Sequence, residues 1–190
     1  MSLRYAPLTP ELWPVFEPFF AAQSETNNCW CMWWRLPAPE IVARNRDALR
    51  AAFRRRVEEG PPPGVVAFDG AVPVGWVQAT PRVDVPRFNR GRVSKPAEGS
   101  DHERVWALSC FFVAKPYRRS GMMARLAEAA CAFAAENGAS AVEAAALKPR
   151  PELQRSDGFV GLVPALERAG FRAVEERSAV RVLMRWTPGG

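Results

Sequence analysis

VWALSCFFVAKPYRRSGMMARLAEAACAFAAENG, residues 105–138, decides the fold. Positions 105–113 are apolar apart from Ser109 and the small thiol of Cys110, and their Trp, Phe and Val pack well on a pleated surface. They predict a strand. Pro116 has no amide hydrogen to donate, so pairing ends before it. A basic turn follows at 117–121. Beyond it Met122, Leu126, Ala129 and Phe133 recur at intervals of three and four, the spacing of one helix face. Asn137 and Gly138 tolerate a helix end. The unit is a strand that delivers a short basic turn into a helix N-terminus. The first amides of a helix lack partners inside it and its dipole is positive there, and phosphate satisfies both. Arg118, Arg119 and Gly121 stand where side-chain and backbone donors converge on a pyrophosphate. An ordinary turn with solvated arginines is the competing reading.

Outward from this unit, residues 3–6 predict a first strand ended by Pro7. Thr9, Pro10 and Glu11 read as a helix start. The helix runs to about Ala22 with Leu12, Phe16 and Phe19 on one side, shortened or broken by Pro14 and Pro18. Residues 27–36, NNCWCMWWRL, hold three Trp, two Cys and a Met, too rich a set for a solvated loop. That segment either plugs the core or lines a pocket. A second helix is expected over 40–59, with Ile41, Leu49, Phe53 and Val57 as its apolar stripe. Its arginines 44, 46, 50, 54, 55 and 56 form a basic face. Residues 65–68 and 72–78 flank Asp69-Gly70 as a hairpin, with Pro73 marking a bulge or an exposed edge. Residues 80–101 read as a long loop with room for a helical turn, and such loops often border sites. Residues 141–147 predict a strand, followed by a loop through Pro149, Pro151 and Gly158. A short helix over 163–169 stops at Gly170, and strands at 171–175 and 180–186 close the chain. The order is mixed α+β, without internal repeat or a clear second domain, so one domain spans 1–190.

A chain of 190 residues with seven Trp and eleven Phe is long enough to bury a full core. The formal charge is +6, and all basic residues but Lys95, Lys115 and Lys148 are arginine. Arginine favours bidentate contacts to phosphate or carboxylate, so an anionic ligand fits. No zinc-finger spacing or recognition motif supports a nucleic-acid partner. No stretch reaches membrane-spanning length, and the start of the chain lacks the apolar core of a signal peptide. The expected location is cytoplasmic, with the four cysteines reduced. Monomer and homodimer are both open.

At YRRSGMM the sequence resembles the GNAT superfamily of N-acyltransferases, whose acyl-CoA loop follows Arg/Gln-x-x-Gly-x-Gly/Ala. Arg118 and Gly121 match, and Met123 departs from the pattern. NNCWCMWWR, WALSCFFVAKPYRRSG, FVGLVPALERAGF and VLMR resemble an uncharacterised bacterial branch of that superfamily, and the order of elements extends the likeness to nearly the whole chain. The resemblance implies a GNAT-like mixed, mainly antiparallel sheet flanked by helices, with acetyl-CoA as acyl donor and no metal. By the same resemblance the backbone at Cys110, Phe111, Phe112 and Val113 would meet the pantetheine arm and the acyl carbonyl. Arg118, Arg119, Ser120, Gly121, Met122 and Met123 would hold the pyrophosphate. The donor would lie in a wedge between strands 105–113 and 141–147.

The implied chemistry is direct attack by a primary amine, from a small molecule or a peptide, on the thioester. Many members carry a Tyr that could protonate the leaving thiol; the matching position here is Leu166. Water, a cysteine or Tyr117 would then serve. Glu103, at the entrance of the long strand, is the candidate base, and His102 beside it is the only histidine. Cys29, Trp30, Cys31 and Trp33 are the candidate acceptor-binding residues, with an apolar or flat amine held over a Trp face. A Cys29/Cys31 metal pair lacks further ligands, and Cys110 as a nucleophile lacks a histidine partner in the sequence. A non-catalytic CoA-binding or regulatory module, and a basic nucleic-acid or protein-binding scaffold, are the alternatives.

Overall fold

A computed structural model describes residues 3–43, 45–149 and 157–189. Strands β1 (Leu3–Pro7), β2 (Gly64–Asp69), β3 (Val72–Pro81), β4 (Val105–Val113), β5 (Ala141–Leu147), β6 (Arg172–Ser178) and β7 (Arg181–Trp186) form one sheet in the order β1-β2-β3-β4-β5-β7-β6. Every neighbouring pair is antiparallel except β4 and β5. Parallel neighbours need a crossover. Here it is the basic turn and helix α6 (Met122–Glu136).

Strands buried on both faces read as nearly continuous apolar runs, and the inner ones here divide their side chains between two cores. On one face Val65, Ala67, Val77, Leu108 and Phe111 pack with Leu126, Ala130 and Phe133 of α6. Gly75 lets α6 come close: a Cβ there would lie 3.1 Å from Leu126 Cδ1. On the other face Val66, Phe68, Trp76 and Phe112 meet the helices α1 (Trp13–Ala21) and α4 (Arg46–Glu59). Phe16 stacks on Phe20 with centroids 4.6 Å apart, and Phe53 completes that aromatic layer.

The first helix begins with a 3-10 turn, Pro10–Leu12, and α1 buries Trp13, Phe16 and Phe20. Leu12 and Phe19 only flank that core. A short α2 (Ser24–Asn27) follows. The helix expected over 40–59 is two helices. α3 (Ala38–Val42) carries Ile41, and α4 starts afresh because the Asn45 side chain accepts the Ala48 amide at 3.0 Å. Asparagine is a strong N-cap, and this one outweighs the continuity of the apolar stripe. Part of the basic face is neutralised locally: Arg50 meets Glu17 and Asp47, Arg54 meets Glu58, and Arg56 meets Asp84. Arg44 and Pro151 lie outside the described residues. The bulge expected near Pro73 is present: the register with β2 shifts between Ala67↔Gly75 and Phe68↔Pro73 and leaves Val74 of β3 as the extra residue.

The long loop after β3 contains a 3-10 turn, Arg82–Asp84, and helix α5 (Pro86–Arg90). A buried ion cluster fastens it to the sheet. Arg82 reaches Glu143 of β5 at 2.6 Å with both side chains fully buried, and Arg185 of β7 meets the other carboxylate oxygen at 3.1 Å. Burial lowers the Arg82 pKa and the Glu143 charge opposes that shift. Helix α7 (Val163–Arg168) precedes the closing β6-β7 hairpin. Among the described residues no helix is long and apolar enough to cross a membrane.

Candidate functional site

β4 and β5 pair only through Val105↔Ala141, Trp106↔Val142 and Ala107↔Glu143. Beyond Ala107 they part. The cause is visible on the other side of β4, where the register with β3 shifts between Gln78↔Cys110 and Ala79↔Leu108 and leaves Ser109 as an extra residue. A bulge bends its strand and increases the local twist. The freed edge of β4 faces the wedge. The Ala114 amide bonds Val74 of β3, so two-residue alternation assigns Phe112 to the same ladder. The carbonyls of Ser109 and Val113 instead accept from Trp34 Nε1 (3.0 Å) and Arg118 Nε (2.8 Å). The backbone N–H and C=O of Phe111 lie on that free edge between them, while the Phe111 and Phe112 side chains are buried in the two cores.

β4 then enters the basic turn. Arg119 has φ 64° and Gly121 has φ 80°, a left-handed value that glycine adopts without cost. A Cβ added at Gly121 would meet nothing within 4 Å, so the backbone there is open to a close approach. The first bonded amides of α6 are those of Ala124 and Arg125, both to the Gly121 carbonyl. Among the described residues, the amides of Arg119, Ser120, Gly121, Met122 and Met123 donate to no protein acceptor. This is a row of donors at the positive end of a four-turn helix. Arg118 lies beside it, 3.9 Å from Glu25 of α2. The Met123 methyl comes within 3.9 Å of the point that a side chain on Gly158 would occupy, so its bulk extends toward the 157–160 turn. Tyr117 donates to Asp69 at 2.8 Å, which ties the basic turn to the β2-β3 hairpin and raises the phenol's pKa.

At the bulge the wedge opens into a cavity of about 250 Å³. Its walls are Glu25 and Thr26 of α2, Cys29, Cys31, Trp33 and Trp34 of the Cys-Trp segment, Ser109 and Cys110 of β4, and Phe159 and Val160. The segment performs both of the tasks expected as alternatives. Trp30 is 1% exposed, donates to Asn27 at 3.2 Å and belongs to the core; it does not line the cavity. Cys29, Cys31 and Trp33 do line it. The alternation requires Trp30 and Cys31 to take positive φ values, 46° and 53°. Such values strain residues that carry a Cβ. The strain is held by burial of Trp30 and by the Trp76 indole donating to Cys31 Sγ at 3.2 Å. Helix α5 braces the outer side, with Phe88 edge-on to Trp34 and Arg87 4.1 Å from the centre of the Trp33 ring.

The thiols are close to one another. Cys31 Sγ lies 3.5 Å from Cys110 Sγ. Burial pushes the Cys29 thiol up to about 12 and also raises Cys31 well above its ordinary value, so both stay protonated near neutrality. Among the described residues no group of His, Cys, Asp and Glu side chains is arranged to hold a metal ion.

Glu103 and His102 are exposed in the turn before β4. Cys110 is five residues, about 16 Å of strand, beyond Val105, so neither is brought to the cavity. Leu166 is fully buried in the core on the α6 face. Glu25 and Thr26 carried no signal in the sequence, and Phe159 and Val160 stood only within the FVGLVPALERAGF resemblance, with no role assigned. Trp34 had a signal, as a member of the Cys-Trp segment.

A model of the acetyltransferase (GNAT) family matches residues 18–155. Among solved structures, the aminoglycoside acetyltransferase AAC(6')-Ib in complex with coenzyme A and kanamycin is 14% identical over 98% of this chain and 95% of that one, with a TM-score of 0.53. The GNAT domain of S. lividans PAT is 16% identical over 97% and 90%, with a TM-score of 0.55. Arabidopsis thaliana NAA60 in complex with acetyl-CoA is 13% identical over 98% and 99%, with a TM-score of 0.51. At these identities the likeness speaks for the fold. No curated protein sequence matches the chain.

Proposed function

The chain belongs to the acetyltransferase (GNAT) family, and from that premise we propose that it transfers an acetyl group from acetyl-CoA to a primary amine by direct attack. The observation that carries this reading is one continuous path. Five unbonded amides at the basic turn lead to the free edge of β4, and that edge leads to a cavity at the bulge. Pyrophosphate suits the amides of residues 119–123 and the Arg118 guanidinium. The pantetheine amides suit Phe111, whose N–H and C=O face the wedge. The thioester then comes to the cavity mouth, where an amine can meet it.

The chemistry balances without a covalent enzyme intermediate. The ammonium form of the acceptor releases a proton, and the amine lone pair forms the C–N bond at the thioester carbonyl carbon. The C–S bond breaks with its electrons on sulfur, and the thiolate takes up a proton to leave as free CoA. Backbone N–H on the free edge of β4 is the donor available to the developing oxyanion. The Cys29 thiol, pushed up to about 12 by burial, is a poor acid toward a thiolate of ordinary basicity. Positioning the two substrates supplies much of the rate.

Calorimetric titration with acetyl-CoA, with dephospho-CoA and NAD as controls, tests the donor half. One saturable site that prefers the CoA compounds is expected. Absence of binding to folded protein would overturn the reading. Thiol release in the presence of an amine panel tests transfer, and binding without turnover of any amine would leave a CoA-binding module.

A further inference from the structure

Resting on the acyltransferase reading, we infer that the cavity at the bulge selects a small apolar primary amine with one positive charge, and that Glu25 receives its ammonium group. Amines rich in hydroxyls or bearing several charges are disfavoured.

The chemistry of the walls carries this. Among the described residues, Glu25 is the one formally charged residue lining the cavity. Ser24 Oγ donates to one of its oxygens at 3.1 Å, and the other lies 3.9 Å from Arg118 Nη2. The Arg118 contact is long and both side chains are about one-third exposed, so little holds the carboxylate away from an incoming cation. When Arg118 engages the donor's phosphates, the acceptor's ammonium replaces it as the partner of Glu25. The Trp33 face does not offer an alternative cation site, because Arg87 already covers it at 4.1 Å.

The other polar groups of the wall are engaged. The Thr26 hydroxyl donates to the Phe20 carbonyl, Ser109 Oγ accepts from Gln78, and the Trp34 indole donates to the Ser109 carbonyl. Cys31 Sγ lies between Trp76 and Cys110. A sugar hydroxyl or a second ammonium entering here would surrender water for few partners, a loss of tenfold or more in affinity, roughly, for each group. Each buried methylene, by contrast, gains about fourfold. At about 250 Å³ the cavity falls just below the roughly 300–1,000 Å³ of ordinary ligand pockets, which suits a small amine such as a phenylethylamine or a hexylamine.

The test uses the full chain and two independent readouts. Binding of 2-phenylethylamine is followed by tryptophan fluorescence with and without saturating CoA. Initial rates of thiol release from acetyl-CoA are compared for 2-phenylethylamine, hexylamine, ethanolamine and kanamycin. The expected result is a preference of about 100-fold or more in kcat/KM for the two apolar amines over the other two. Glu25→Gln should raise the KM for 2-phenylethylamine about tenfold while acetyl-CoA affinity moves less than about twofold. CoA binding with no saturable uptake of 2-phenylethylamine, or with ethanolamine or kanamycin preferred, overturns the inference and leaves the acyltransferase reading standing. Rates that ignore the amine, and that climb when butyryl-CoA replaces acetyl-CoA in a parallel series, would assign the cavity to the donor's acyl group, and also overturn it. Amine uptake without any CoA binding supports the cavity's selectivity and removes the acyltransferase reading instead.

Discussion

The basic turn and the cavity lie at opposite ends of the free edge of β4, and they are built by opposite means. The turn is local: residues 119–123 carry unbonded amides within one short stretch, and what they lack is an acceptor. The cavity is assembled from residues 25–34, 109–110 and 159–160, and nearly every polar atom in its wall is already bonded. On the proposed reading the turn recognises a ligand by donating, while the cavity recognises one by shape and by what it declines to hydrogen-bond. Charge attracts in the first, and desolvation discriminates in the second.

If the contrast holds, damage to the cavity wall should cost stability and damage to the turn should cost ligand. Trp30→Ala removes a fully buried ring behind the wall and should lower unfolding free energy by about 3–5 kcal/mol in urea titration. A loss below about 1 kcal/mol would show that the wall stands without its plug. Arg118→Ala combined with Gly121→Glu should weaken CoA about 100-fold by calorimetry, about 2.7 kcal/mol, since a carboxylate then faces the phosphates. The same variant should lose only about 1 kcal/mol of stability, the cost of a side chain at positive φ.

Within the cavity, Trp33→Ala should reduce kcat/KM for the best amine about tenfold, with acetyl-CoA affinity within about twofold of the parent. Equal losses for both substrates would merge the two regions into one. Alkaline pH reads the buried thiols. Cys29, Cys31 and Cys131 all have pKa values raised by burial, so the unfolded chain ionises first. Their stabilising effect is complete below the ordinary thiol pKa and is lost as pH rises from there toward the folded values. Melting experiments should show a loss of about 1 kcal/mol for each thiol between pH 9 and pH 10. Cys131→Ala should flatten that limb, and an unchanged limb would place the ionisation elsewhere. The smallest effect is expected from Glu103→Gln. With its side chain at the far end of β4, the pH profile of transfer should not move, and a depressed limb would return Glu103 to the mechanism.

Much of this fold was legible because its signals are local. The apolar run of β4, the Asp69-Gly70 turn, Pro116 and the periodicity of α6 each act within one or two turns of chain. The division of 40–59 was less legible, since the apolar stripe continues across Asn45 and only the cap interrupts it. At the basic turn the match of Arg118 and Gly121 marked the stretch whose amides the structure leaves unbonded. At the cavity Cys29, Cys31 and Trp33 were legible as a dense aromatic segment, but their division from Trp30 depends on two positive φ angles that composition does not encode.

By itself, then, the sequence determined the strand-turn-helix unit, the donors at its basic turn and a sheet with apolar residues on both faces, because short-range sterics and hydrogen-bonding capacity fix these. Tertiary structure alone decided that Ser109 bulges, that β4 and β5 part beyond Ala107, and that Glu25 and Phe159 meet across the opening. Each of those depends on how segments distant along the chain pack against one another, and a cavity is a property of the space between them rather than of any one segment.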